Sequence, residues 1–139
     1  MNTAILGPII GLVAWSFVMW AWLYATRIPA MIRLKMRYDP AQPNAVFTGA
    51  FPPQVRWKAD NYNHLMEQPT LFYAVCLTLA VAGAGEAAAV GLAWLYVAIR
   101  VVHSLVQALV NKVLWRFGLF MAGSVVLLAL TAIAAMAVF

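Results

Sequence analysis

The chain has 139 residues, of which 65% are hydrophobic and only 9% charged, and its mean hydropathy is +0.86. That composition excludes an ordinary soluble domain, in which about a quarter of the residues are charged, and it excludes a disordered chain, which is poor in apolar residues. What remains is an all-α membrane protein, a bundle of four transmembrane helices filling one domain over residues 1–139.

In chain order, the first predicted span covers residues 4–26, and Ala4 to Ala25 contains no charge. About 20 such residues suffice to cross about 30 Å of hydrocarbon. Met1-Asn2-Thr3 has no basic residue and the apolar run is too long for a signal peptide, so the segment reads as a retained helix. The helix is expected to continue through Met31–Arg37, bent at Pro29, with basic residues at every second position. From Tyr38 to Trp57, Pro40, Pro43, Pro52, Pro53 and Gly49 forbid one continuous helix and predict an ordered or semi-ordered loop. The second span, 62–84, holds the single cysteine, Cys76, which has no disulfide partner and reads as a buried packing residue. After the turn Gly83-Ala84-Gly85-Glu86 come the third span, 87–110, and the fourth, 115–138. Barrel strands are not expected, because no segment alternates with period two over about ten residues.

The basic residues orient these spans. Arg27, Arg33, Lys35, Arg37, Arg56 and Lys58 lie between or beside spans one and two, and Lys112 and Arg116 lie between spans three and four. The two ends and the turn at 83–86 have no Lys or Arg. The positive-inside rule therefore predicts an integral membrane protein with both termini on the non-cytoplasmic side, in the inner membrane if the cell is bacterial. The net charge of +5 is accounted for by these loops and by contact with anionic headgroups, so no nucleic-acid partner is expected.

Two ionisable residues interrupt the apolar stretches, Glu67 and Arg100. A charge in hydrocarbon is costly, faces a bundle interior or a wet cavity, and takes a partner. Asp60, Asn63 (or His64) and Glu67 share one helix face by their spacing, and Pro69 loosens the helix there because it cannot donate to the carbonyl of Leu65. Arg100, His103, Ser104, Gln107 and Asn111 draw a second polar stripe. The two stripes are expected to face each other, with Glu67 and Arg100 paired directly or through one water. Such contacts also serve simply as glue between helices, and His103 and Ser104 taken alone read as packing residues. Trp15, Trp20, Trp22, Tyr24, Trp94, Tyr96 and Trp115 read as interfacial anchors or packing. Two histidines without spaced carboxylates or cysteines predict no metal site, and there is neither a phosphate loop nor a nucleophile elbow.

His64-Leu65-Met66-Glu67 followed by Pro69, Arg100-Val101-Val102-His103-Ser104, Ile32-Arg33-Leu34 at the end of the first span and Arg116 at the start of the fourth together resemble the MAPEG superfamily. These are the membrane-associated proteins of eicosanoid and glutathione metabolism. Each motif is short; their order over four spans, covering nearly the whole chain, carries the resemblance. It implies a homotrimer that binds glutathione between subunits toward the cytoplasmic side and acts on a lipophilic small molecule from the bilayer. Carried over by position, Arg33, Asn63, His64, Glu67, Arg100, His103 and Gln107 are candidate glutathione-binding residues, and Arg116 is the candidate catalytic residue, a stabiliser of the thiolate. Several arginines and one carboxylate suit a small anion that bears one ammonium.

The chain departs from the family pattern at four positions. His64 stands where an asparagine is usual, Asp60 where many members have an arginine, Gln107 where many have a tyrosine, and Phe117 where a small hydroxyl residue is frequent. Two functions follow as expectations: a glutathione-dependent transferase or peroxidase, or a non-catalytic protein of the same fold that binds a lipid or serves as a partner subunit.

Overall fold

The computed structural model describes residues 2–139. Among them there are six helices and no strand: α1 (Leu6–Arg33), α2 (Asn44–Gly49), α3 (Pro53–Leu65), α4 (Gln68–Val81), α5 (Ala87–Leu109) and α6 (Val113–Val138). Three of them, α1, α5 and α6, are each long and apolar enough to cross a membrane. The predicted second span is not one helix but two. Pro69 has no N–H for the carbonyl of Leu65, and the chain breaks at Met66 and Glu67 and restarts with proline in the first turn of α4. At 14 residues α4 is about 21 Å long, short of a full hydrocarbon thickness.

The prolines of the segment between residues 38 and 57 act as helix starters. Pro43 caps α2, while Pro52 caps α3 and Pro53 opens it. The predicted loop therefore contains a short helix and the beginning of a longer one. Helix α1 passes through Pro29 but stops at Arg33, four residues before its expected end. Lys35 turns left-handed at φ +50°, and Met36 N–H bonds back to the carbonyl of Met31 at 3.0 Å. The same closure ends α4 at Gly83 (φ +72°, with Ala84 N–H on Leu79 O at 3.0 Å), whereas at the end of α5 the left-handed residue Asn111 (φ +54°) itself bonds back to Val106 O at 2.6 Å.

Helix α5 is the centre of the bundle, packed on α6, α3 and α1, while α4 packs on α6 and α1. Its close approach to α6 runs over Gly123, where a Cβ would lie 3.5 Å from Ile99 and 3.7 Å from Tyr96. The core joins Leu12 and Met19 of α1, Phe72, Cys76 and Leu79 of α4, Tyr96 of α5, and Leu127 and Leu130 of α6. Phe72 stacks on Tyr96 with centroids 4.5 Å apart. Cys76 is fully buried, as its place in an apolar run predicts. The outward faces carry Ile10, Phe17, Val18, Val125, Leu128 and Met136, exposed apolar side chains whose natural surroundings are lipid. Asn2 ties the chain start to the far end of the bundle through Ala80 O (3.0 Å) and Gly85 O.

Candidate functional site

The inward face of α3 is Lys58, Asn61, His64 and Leu65, spaced by three and four residues. The inward face of α5 is Tyr96, Arg100, His103, Ser104 and Gln107. The two helices meet along these faces. At one end Lys58 Nζ donates to Gln54 O at 3.0 Å and to Ala108 O at 3.5 Å, and lies 5.0 Å from the centre of the Trp22 ring. Burial pushes its ammonium below the ordinary lysine range. At the other end Arg100 reaches His64. Between them, Asn61 has no protein partner for either side-chain polar atom, and Ser104 Oγ and Gln107 Oε1 are likewise buried without one.

Arg100 is only 1% exposed. Its Nη2 lies 2.9 Å from His64 Nδ1 and donates to His64 O at 3.3 Å, while Nε and Nη1 have no protein partner. The expected direct pairing with Glu67 is not formed: the Nη2 of the arginine meets a histidine on α3 instead. Glu67 sits at the helix break, and its side chain is exposed. Its backbone carbonyl caps α4 by accepting from Thr70 Oγ1 at 2.7 Å. The physical reason is the break itself. It takes Glu67 off the regular face of α3 and leaves His64 as the last polar side chain of that helix to meet α5.

His64 stacks on His103 with centroids 4.8 Å apart and planes 15° from parallel, and Phe120 closes on the same ring at 5.5 Å. Arg116, at the start of α6, donates from Nη1 to Asn111 Oδ1 at 2.8 Å, and its buried Nε has no protein partner. His64, His103 and Arg116 with Val113, Phe117 and Phe120 line an open cleft of about 220 Å³. Four of the eight predicted residues, His64, Arg100, His103 and Arg116, thus come together. Gln107 lies on the same α5 face, one turn away and buried. Arg33 is exposed in the last turn of α1. Asn63 points away from the cluster and lines a separate crevice of about 430 Å³ with Arg27, Arg56 and Asp60. The stripe Asp60–Asn63–Glu67 is an outer face of the chain, not the one that meets α5.

Sequence reasoning passed over a second polar chain beside the break. Tyr96 Oη donates to Gln68 Oε1 at 3.0 Å, Gln68 Nε2 donates to Ser124 Oγ at 2.8 Å, and Ser124 Oγ donates to Phe120 O at 2.8 Å. Tyr96 was legible, standing four residues before Arg100 on one stripe; Gln68 and Ser124 carry no such signal. Lys58 and Asn61 share the three-residue rhythm that ends at His64.

The guanidinium nitrogens of Arg100 and Arg116 that have no protein partner suit an anionic ligand, and the exposed carboxylate of Glu67 is free to meet a cation. Among the described residues no group of three His, Cys, Asp or Glu side chains is arranged to hold a metal ion. No curated protein and no solved structure matches the chain at a significant level. The profile of the MAPEG family matches residues 5–136, nearly its whole length, with helices throughout and three of them fit to span a bilayer. The chain is an integral membrane protein and belongs to the MAPEG family.

Proposed function

We propose that the protein is a glutathione-dependent transferase or peroxidase that acts on a lipophilic electrophile in the cleft of His64, His103 and Arg116. The observation that carries this reading is the convergence of two histidines and Arg116 on one open cleft, with Arg100 directly behind His64 and with buried guanidinium nitrogens on both arginines that no protein atom satisfies. Burial strengthens such donors, since a low dielectric enlarges every charge interaction. Glutathione supplies the nucleophilic thiol. Arg116, held by Asn111, stabilises the anionic sulfur, and Arg33, Glu67 and Gln107 are the candidate contacts for the rest of the tripeptide, with Asn63 the outlying one and Arg100 set behind His64. Val113, Phe117 and Phe120 offer the electrophile an apolar wall.

In this reading the end of α3, from Tyr62, and α4 together make the second of four crossings, three copies assemble, and the cleft is shared between subunits. Both termini lie outside the cytoplasm in this reading, which the distribution of basic loops supports. A cysteine placed after Phe139 should react with an impermeant reagent from the outer side; reaction only from the cytoplasmic side refutes the orientation. For the chemistry, Arg116→Ala should slow conjugation of a hydrophobic electrophile by about 10²–10³ while the oligomer persists in native mass spectra. Calorimetry with glutathione, repeated on Glu67→Gln, tests binding. A wild-type protein that neither binds nor ionises glutathione selects the second reading, a lipid-binding or partner subunit. That alternative draws on the same apolar wall, where Phe117 is 61% exposed.

A further inference from the structure

We infer that His64 is a hydrogen-bond donor to an anion in the cleft, and that Arg100 is the positioning residue that makes it one. The identity of the anion as a thiolate rests on the thiol-transfer reading above; the donor assignment rests on geometry. Arginine has five N–H donors and no acceptor. The 2.9 Å contact between Arg100 Nη2 and His64 Nδ1 therefore requires a lone pair on Nδ1. A neutral imidazole with a free Nδ1 carries its proton on Nε2. The ring is fixed in place by its stack on His103 and by the edge of Phe120, and the backbone beside it by the second bond from Nη2 to His64 O. His64 Nε2 has no protein partner and is not among the polar atoms sealed from solvent, and His64 lines the cleft together with Arg116.

The cleft thus presents two donors of different kinds, the N–H of a neutral imidazole and a guanidinium. Neither accepts a proton, so His64 is not the general base. When the thiol ionises, the S–H bond breaks, the electron pair stays on sulfur, the proton passes to solvent water, and His64 and Arg116 hold the anion that remains. A base at position 64 would need its lone pair turned into the cleft, and the Arg100 contact assigns that lone pair to the opposite side of the ring. The charged and titratable groups around His64 are Arg100 and His103 from α5, Arg116 from α6 and Glu67 just beyond the end of α3. Arg100 acts through His64 and is not itself placed at the cleft wall.

The chain has two histidines, which makes the test direct. Nitrogen-15 NMR of the histidine-labelled full chain in nanodiscs, assigned with His103→Gln, should show His64 as a single Nε2–H tautomer between about pH 6 and 8. Arg100→Leu should turn this into a mixture of tautomers. Glutathione should move the Nε2 resonance. His64→Leu should weaken glutathione binding roughly tenfold to a hundredfold, and His64→Asn, which restores an N–H donor, should recover most of the loss. If glutathione does not bind the wild type, the thiol-transfer reading falls, and thiocyanate becomes the probe; movement of Nε2 by thiocyanate still supports the donor. An Nδ1–H tautomer or an imidazolium in the wild type overturns the inference without recourse to any variant. It is also overturned by an Nε2 resonance that neither anion moves, by a folded Arg100→Leu with an unchanged tautomer, or by His64→Leu that binds glutathione as well as wild type.

Discussion

Arg100 and Glu67 interrupt similarly apolar stretches, and the protein accommodates them in opposite ways. Around Arg100 the helix is unbroken from Ala87 to Leu109, and the charge is buried against a neighbouring helix. Around Glu67 the helix is broken, and the charge is exposed. The difference follows from side-chain chemistry and from one proline. A guanidinium on a long stem reaches acceptors across a helix interface, and here it finds an imidazole nitrogen and a carbonyl. A carboxylate needs donors, and the helix break turns Glu67 outward, away from the nitrogens of Arg100 that have no protein partner. Pro69 has in any case removed a backbone bond at that point, so opening the chain there costs less than elsewhere. An intramembrane charge is thus a statement about need, and the local backbone decides whether it is met by a partner or by exposure.

The largest expected effect separates the two sites by coupling. In a double-mutant cycle followed by unfolding in detergent, Arg100→Leu and His64→Leu should interact by about 1–3 kcal/mol, whereas Arg100→Leu and Glu67→Gln should be additive within about 0.5 kcal/mol. Strong coupling to Glu67 would restore an ion pair and erase the contrast. A smaller effect is expected where the break is stitched to its neighbours. Gln68→Leu leaves Tyr96 Oη without its acceptor and should cost about 1–3 kcal/mol, while Thr70→Val, on the exposed side, should cost less than about 1 kcal/mol; equal costs would mean that the Tyr96–Gln68–Ser124 chain does not anchor α4. The smallest effect concerns the third cation of the region, Lys58, which is buried like Arg100 but titrates. Its pKa is lowered in the folded state, so just below the ordinary value of 10.5 the unfolded chain binds more protons than the folded one. Stability should therefore rise slightly as pH climbs toward that value and fall as pH drops back through the folded-state pKa. Lys58→Met should flatten the slope in thermal unfolding scans; an unchanged slope assigns it to another group.

Much of this was readable from residues. Composition and charge-free runs specify an all-helical membrane protein, Pro69 marks the break, Cys76 is buried, and the short motifs around His64–Glu67 and Arg100–Ser104 identify the family. The choice of face on α3 was not readable. Helical periodicity says that Lys58, Asn61 and His64 lie together and that Asp60, Asn63 and Glu67 lie together; it does not say which set turns inward. Both are polar, and the formal charge of Glu67 drew the pairing to the wrong one. The decisive term is Leu65, which adjoins His64 and must enter the apolar core, carrying its own side of the helix with it. Local spacing cannot weigh that term, because it depends on where α1 and α5 sit. Gln68 and Ser124, 56 residues apart, meet only because two helices do.

The left-handed residue between α5 and α6 carries an implication for how this hairpin tolerates change. Asn111 adopts a backbone conformation that glycine would accept as readily, yet its side-chain oxygen also anchors Arg116. Reversal of the chain and aim of the guanidinium are therefore welded into one short connection. Lengthening that connection by even one residue, or grafting in a turn of equal shape from another hairpin, would leave both helices standing and the cation pointing elsewhere. In this turn, geometry alone is an insufficient specification.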